Sequence, residues 1–160
     1  QDRGLEGVEV ARWVATGHLH DALRDAEPEK LRKRVDSSLR SLPGKVLHGP
    51  AAAQRLREDG VGDEELLHAI TYHTLGSGAF QELGMALFAA DFLEPGRSKQ
   101  GEWRAGLRGR AAGELQSVVR EILLAKIRYQ MRKGRPVHHE TIAFWNRFAE
   151  GKGWASASEL

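Results

Sequence analysis

Apolar residues in this chain recur every three to four positions and almost nowhere at every second one. That is the period a helix presents on one face, and its dominance leaves little room for a sheet. The clearest run is Leu115, Val118, Val119 and Ile122, continued by Tyr129. It predicts a long amphipathic helix that stops at Gly134-Arg135-Pro136. Val10, Trp13, Val14 and Gly17 share one face of a first helix. Pro28 suits the first turn of a short second helix over Glu29 to Val35. Gly49-Pro50 opens a helix running from Ala51 to Glu58, and Asp63 caps one whose stripe is Leu66, Ile70 and His73. Ala79 to Leu93 reads as an apolar helix stopped by Pro95-Gly96. The last helix carries Ile142, Trp145 and Phe148 and stops at Gly151. The stretch from Arg97 to Gly113, with glycines at 101, 106 and 109, is the least regular internal segment. The expectation is an all-α bundle of six or seven helices, one domain over residues 1–154, followed by a frayed tail over 155–160.

Composition excludes several classes of function. A chain of 160 residues with 41% apolar and 29% charged side chains can bury one real core. It has no cysteine, which removes disulfides, thiolate metal sites, iron–sulfur clusters and a thiol nucleophile. The longest apolar-looking run, Met85 to Leu93, is far short of the ~20 residues that span a bilayer, and it contains Asp91. No membrane partner is expected. The net charge of +2 argues against a nucleic-acid binder as a whole. That balance is uneven, because residues 97–135 hold eleven Lys or Arg against three Glu. Familiar short motifs fail. No phosphate-binding P-loop is present, and Gly76-Ser77-Gly78 lacks the third glycine of a dinucleotide fingerprint. His139-Glu140 begins like a zinc-protease helix, but Ala143 stands where the second histidine must be. His138 and His139 are expected to sit exposed at a helix start.

Three polar features fall on apolar faces. Asp91 is the one polar side chain between Met85 and Leu93 and shares the face of Leu87. His73 continues the inward stripe of Leu66 and Ile70, and His20-Asp21 follows the face of Trp13, Val14 and Gly17. A buried carboxylate costs several kcal/mol unless it is paired or bound to metal. Singly, each feature has an ordinary structural explanation. Together, with His48 beside a helix start, they form an oxygen-and-nitrogen ligand set on separate helices. Such a set suits iron, manganese, zinc or magnesium.

These residues resemble the HD-domain phosphohydrolases, all-α enzymes named for a His-Asp pair. More narrowly, they resemble the YqeK-like group, the symmetrically cleaving diadenosine-tetraphosphate hydrolases of bacteria. The matching stretches are His18 to Asp25, Leu47-His48-Gly49-Pro50, Ala69 to Gly76, Ala90 to Arg97, and Gly134 to Asn146. The resemblance implies a dinuclear divalent-metal site, iron first and manganese as an alternative. Asp21 would bridge the two ions, His48 and His73 would complete one, and His20 and Asp91 would hold the other. The family's first histidine has no counterpart here. It is expected on a helix upstream of residue 1, the alternative being a variant with an impaired first site. Arg24, Thr74 and Arg97 are the candidates for meeting phosphate oxygens, and Arg24 shares the catalytic role with Asp21. The implied substrate is a dinucleoside polyphosphate, cleaved to ADP in the cytoplasm, with a homodimer as an open expectation. The alternatives are an HD phosphohydrolase for another nucleotide, and an impaired HD module that only binds nucleotides.

Overall fold

In the computed structural model, residues 6–96 and 100–149 are described. Eight α-helices stand among them, with no strand: α1 (Val8–Leu19), α2 (Pro28–Arg34), α3 (His48–Glu58), α4 (Glu64–Tyr72), α5 (Glu82–Phe92), α6 (Gly101–Ala111), α7 (Leu115–Arg132) and α8 (His139–Ala149). Two 3-10 turns, Ser37–Leu39 and Gly44–Val46, link α2 to α3. No helix of the described residues is long and apolar enough to cross a membrane.

The apolar α5 is the centre. Its Met85, Phe88 and Ala89 pack with Leu107 of α6, Val118, Val119, Ile122 and Leu123 of α7, and Phe144 of α8. Its other side, Leu83 and Leu87, packs with Ala52 and Ala53 of α3, Leu66, Leu67, Ala69 and Ile70 of α4, and Trp13 of α1. A third cluster ties Leu31 and Val35 to Val46, Leu47 and Ala51. The α4–α5 turn depends on Gly76. Its φ of +82° is a backbone state that favours glycine, and a Cβ there would stand 2.4 Å from the Phe144 ring. Asp63 caps α4 as expected, accepting from Leu66 N.

Several expectations need correction. The described residues form eight α-helices, not six or seven, because the stretch expected to be irregular contains α6. Trp103, Arg104 and Leu107 give that helix an inner face, whereas Gly106 and Gly109 look onto open space. Packing therefore overrides the glycine cost of about 1 kcal/mol each. The apolar helix starts at Glu82 rather than Ala79, because Ser77 Oγ accepts from Ala79 N and holds a turn there. In α1 the inward residue is Thr16, whose hydroxyl bonds back to Arg12 O, while Val14 is exposed. In α8 the buried apolar residue is Phe144, with Trp145 and Phe148 at its edge and Ile142 exposed. Tyr129 is likewise exposed, beyond the part of α7 that the core covers. Arg97, Gly151 and the tail at 155–160 lie outside the described residues.

Candidate metal centre

The site is built at helix ends, where the backbone leaves groups unpaired. His20 is the C-cap of α1 and His73 the C-cap of α4, while His48 is the first residue of α3. Carbonyls in the last turn of a helix lack an intrahelical partner. Imidazoles take them up: His20 Nδ1 lies 2.7 Å from Gly17 O, and His73 Nδ1 lies 2.8 Å from Ile70 O. His48 Nδ1 lies 3.0 Å from Lys45 O in the preceding 3-10 turn. A carbonyl only accepts, so each Nδ1 carries the proton and donates it. In its neutral form such a ring presents Nε2 as a lone pair, and a proton on that atom would instead bond Asp21.

Those three nitrogens converge on Asp21. His48 Nε2 is 3.0 Å and His73 Nε2 3.7 Å from Asp21 Oδ1, and His20 Nε2 is 3.6 Å from Oδ2. His48 Nε2 and His73 Nε2 are themselves 3.0 Å apart. One ligand atom each from His20, Asp21 and His73 lies within 4.8 Å of the others. Burial, and then the neighbouring His73, pushes the His48 imidazole below its ordinary range, so it stays neutral. The Asp21 carboxyl is held well below the usual carboxylate range, first by His73, with His20 and Arg24 adding to it. Two imidazole nitrogens and a carboxylate oxygen thus face one another within 3.7 Å. That donor set fits a divalent cation with nitrogen and oxygen ligands.

Glycine allows the approach. A Cβ on Gly49 would stand 2.6 Å from Ile70 O and 2.9 Å from the His73 ring, so only a glycine lets α3 and α4 bring their histidines together.

Four further residues were expected at the site. Arg24 bonds Asp21 Oδ2 at 2.6 Å and is exposed on its outer side. Asp91, half-buried in the last turn of α5, acts on Arg24 more weakly than Asp21 does, together with Glu94. It does not join the tight group of ligand atoms. Thr74 places its hydroxyl 3.1 Å from His73 Nε2. Arg97 lies outside the described residues. His20 and Asp21 are not on the body of α1 but at and just past its end. His139 is exposed at the start of α8, as expected, whereas His138 is half-buried rather than exposed. Neither Gly49, expected only to open a helix, nor Lys126, whose ammonium donates to Thr74 O at 2.7 Å, stands among the residues expected at the site. A glycine directly after a histidine at a helix start was the available signal for the first. A cation extending the α7 stripe was the signal for the second.

No family model matches the chain. Individual proteins do. The chain is 32% identical over 149 residues to the symmetrical bis(5'-nucleosyl)-tetraphosphatase of Halalkalibacterium halodurans, spanning 89% of this chain and 79% of that protein. It is 30% identical over 146 residues to the protein of the same name from Staphylococcus aureus, spanning 88% and 75%. A crystal structure from Clostridium acetobutylicum, described as a predicted HD superfamily hydrolase involved in NAD metabolism, matches with a TM-score of 0.78. Identity there is 28%, over 92% of this chain and 79% of that one. The ordered helices, the His-Asp pair at the end of α1 and these relatives agree that the chain belongs to the symmetrical bis(5'-nucleosyl)-tetraphosphatase family of HD hydrolases.

Proposed function

We propose that this chain hydrolyses diadenosine tetraphosphate symmetrically, yielding two ADP, and does so in the cytoplasm. The observation that carries the proposal is the set of three Nδ1-anchored imidazoles whose Nε2 atoms meet at Asp21. In this reading Asp21 would be shared by two divalent ions, which His48 and His73 on one side and His20 and Asp91 on the other would help to hold. Iron is the first choice and manganese the alternative. Such ions, when bound, supply Lewis acidity and bring the pKa of a coordinated water toward neutrality.

The remaining work belongs to the chain. Arg24 is anchored on Asp21, which leaves its outer face to meet phosphate oxygens as a planar donor. Thr74 offers its hydroxyl beside the same centre. Arg97, two residues beyond Pro95, is assigned a third phosphate contact. Donors set around the bridge favour the charge that builds on the departing ADP.

The test is a product analysis. The chain is incubated with diadenosine tetraphosphate and ferrous iron or manganese, and the nucleotides are separated by ion-pair chromatography. ADP as the sole product is expected, and ATP with AMP overturns the symmetrical reading. A dinucleotide with a diphosphate bridge belongs in the same panel, because the structural relative is described as acting in NAD metabolism.

A further inference from the structure

The geometry points to Lys126 as a positioning residue for the reaction proposed above: it holds the Thr74 peptide so that the Thr74 hydroxyl stays aimed at the metal centre. The inference rests on that functional reading. α7 turns Val119, Ile122 and Leu123 into the core, and Lys126 continues the same face three residues on. Its stem is half-buried, and its ammonium lies 4.7 Å from the centroid of the Phe88 ring. Bringing an ammonium so far out of water is unfavourable without a good partner. One such partner is Thr74 O, at 2.7 Å and 52 residues distant in sequence.

That carbonyl lies where α4 has run out. Leu75 N and Gly76 N both return to Tyr72 O, and the chain then passes through the positive φ of Gly76. The next carbonyl, Leu75 O, accepts from Thr141 Oγ1 of α8 at 2.8 Å. Two successive carbonyls beyond a helix end are thus held by side chains from two other helices, and a cation at such an end is favourable. Fixing the 74 and 75 carbonyls fixes the peptide planes around them. It thereby fixes the Cα–Cβ bond that carries the Thr74 hydroxyl, which stands 3.1 Å from His73 Nε2. Lys126 acts on substrate through Thr74 rather than by touching it.

The test is a double-mutant cycle on the 160-residue chain. ADP binding in the presence of manganese is read by titration calorimetry, alongside turnover of diadenosine tetraphosphate. Lys126→Met is expected to weaken ADP binding about ten-fold and Thr74→Ala by a similar factor, with the double variant no weaker than Thr74→Ala alone. Lys126→Arg, which keeps a donor and the charge, is expected to stay within about two-fold of the parent chain. A double variant that multiplies the two losses overturns the inference, and so does a Lys126→Met chain that binds as the parent does. If Lys126→Met loses its helical circular dichroism, Lys126→Gln takes its place, and loss of the fold in both reduces Lys126 to scaffolding. A parent chain that neither binds ADP nor turns over diadenosine tetraphosphate overturns the functional reading first.

Discussion

Gly49 lies flat against the His73 imidazole. A methyl group on its Cα would stand 2.9 Å from Cε1 and 3.0 Å from Nδ1, and 2.6 Å from the Ile70 carbonyl to which that ring is bonded. Ile70 O is backbone, so it cannot swing aside as a flexible side-chain tip would. Gly49→Ala is therefore expected to separate α3 from α4 and to turn His73 away from Asp21. Overpacking of this kind costs about 1–3 kcal/mol of stability. Losing the orientation of a ligating histidine costs about 10–100-fold in metal affinity. Calorimetric titration with manganese, next to a thermal melt, checks both. A variant that binds manganese as tightly as the parent removes Gly49 from the site's design.

His73→Ala and Asp91→Ala are expected to separate the two parts of the proposed centre. His73 is buried among the ligand atoms, so its loss should abolish both turnover and tight metal binding. Asp91 stands outside the tight group, so its replacement should abolish turnover yet leave one metal ion bound per chain. Elemental analysis after desalting reads the stoichiometry, and circular dichroism confirms that the helices persist. Activity that survives both replacements overturns the ligand assignment.

Acid should act on the site through His48. Burial and His73 hold its folded pKa below the ordinary value of about 6.5. Between those two values the unfolded chain binds a proton that the folded chain refuses. Stability is therefore full above about pH 6.5 and falls as the pH drops through that window. Manganese binding needs the same neutral rings and should weaken with acid, by about ten-fold per pH unit for each histidine proton displaced. Melting temperatures and titrations at a series of pH values from neutral downward check this. In His48→Gln the stability loss over that window should shrink.

Arg104 should matter more than its place in a glycine-rich stretch suggests. It is buried, donates to Phe92 O, and lies over the Phe92 ring at 4.0 Å to the centroid. Its neighbour Arg108 donates to Leu93 O at 2.8 Å. Both arginines secure the end of α5 directly after Asp91. Arg104→Met keeps much of the volume and removes the donor. It is expected to cost about 1.5–3 kcal/mol, the range for hydrogen bonds to charged groups. Chemical denaturation measures that cost, and an unchanged midpoint shows the contact to be ornamental.

The helical period and the polar residues placed on it carried much of this architecture. Leu66 and Ile70 do face inward, and the stripe does end on a buried His73. His48, His20 and Asp21 do gather around that histidine. What escaped was whatever depends on approach between distant segments. The space that Gly49 leaves for His73 is set by how α3 meets α4, and no local pattern reports it. α6 was missed because its glycines face open space while Trp103 and Leu107 do the packing. The basic stretch at 97–135 shows in the sequence only as an excess of charge. Four of its cations turn to the chain itself: Arg104 and Arg108 to α5, Arg110 to Glu114 and Glu121, and Lys126 to Thr74.

The histidines at the helix ends have one more consequence, for folding. Asp21, His48 and His73 lie in three separate stretches of chain, and the sequence has no cysteine to tie such stretches covalently. An ion held among them would close two loops of some two dozen residues each and act as the staple that a disulfide provides elsewhere. Ligation selective for the folded chain adds about 2.7 kcal/mol at a hundred-fold excess of free ion over the dissociation constant. The same side chains that prepare the chemistry would then make the lifetime of the fold follow the metal supply.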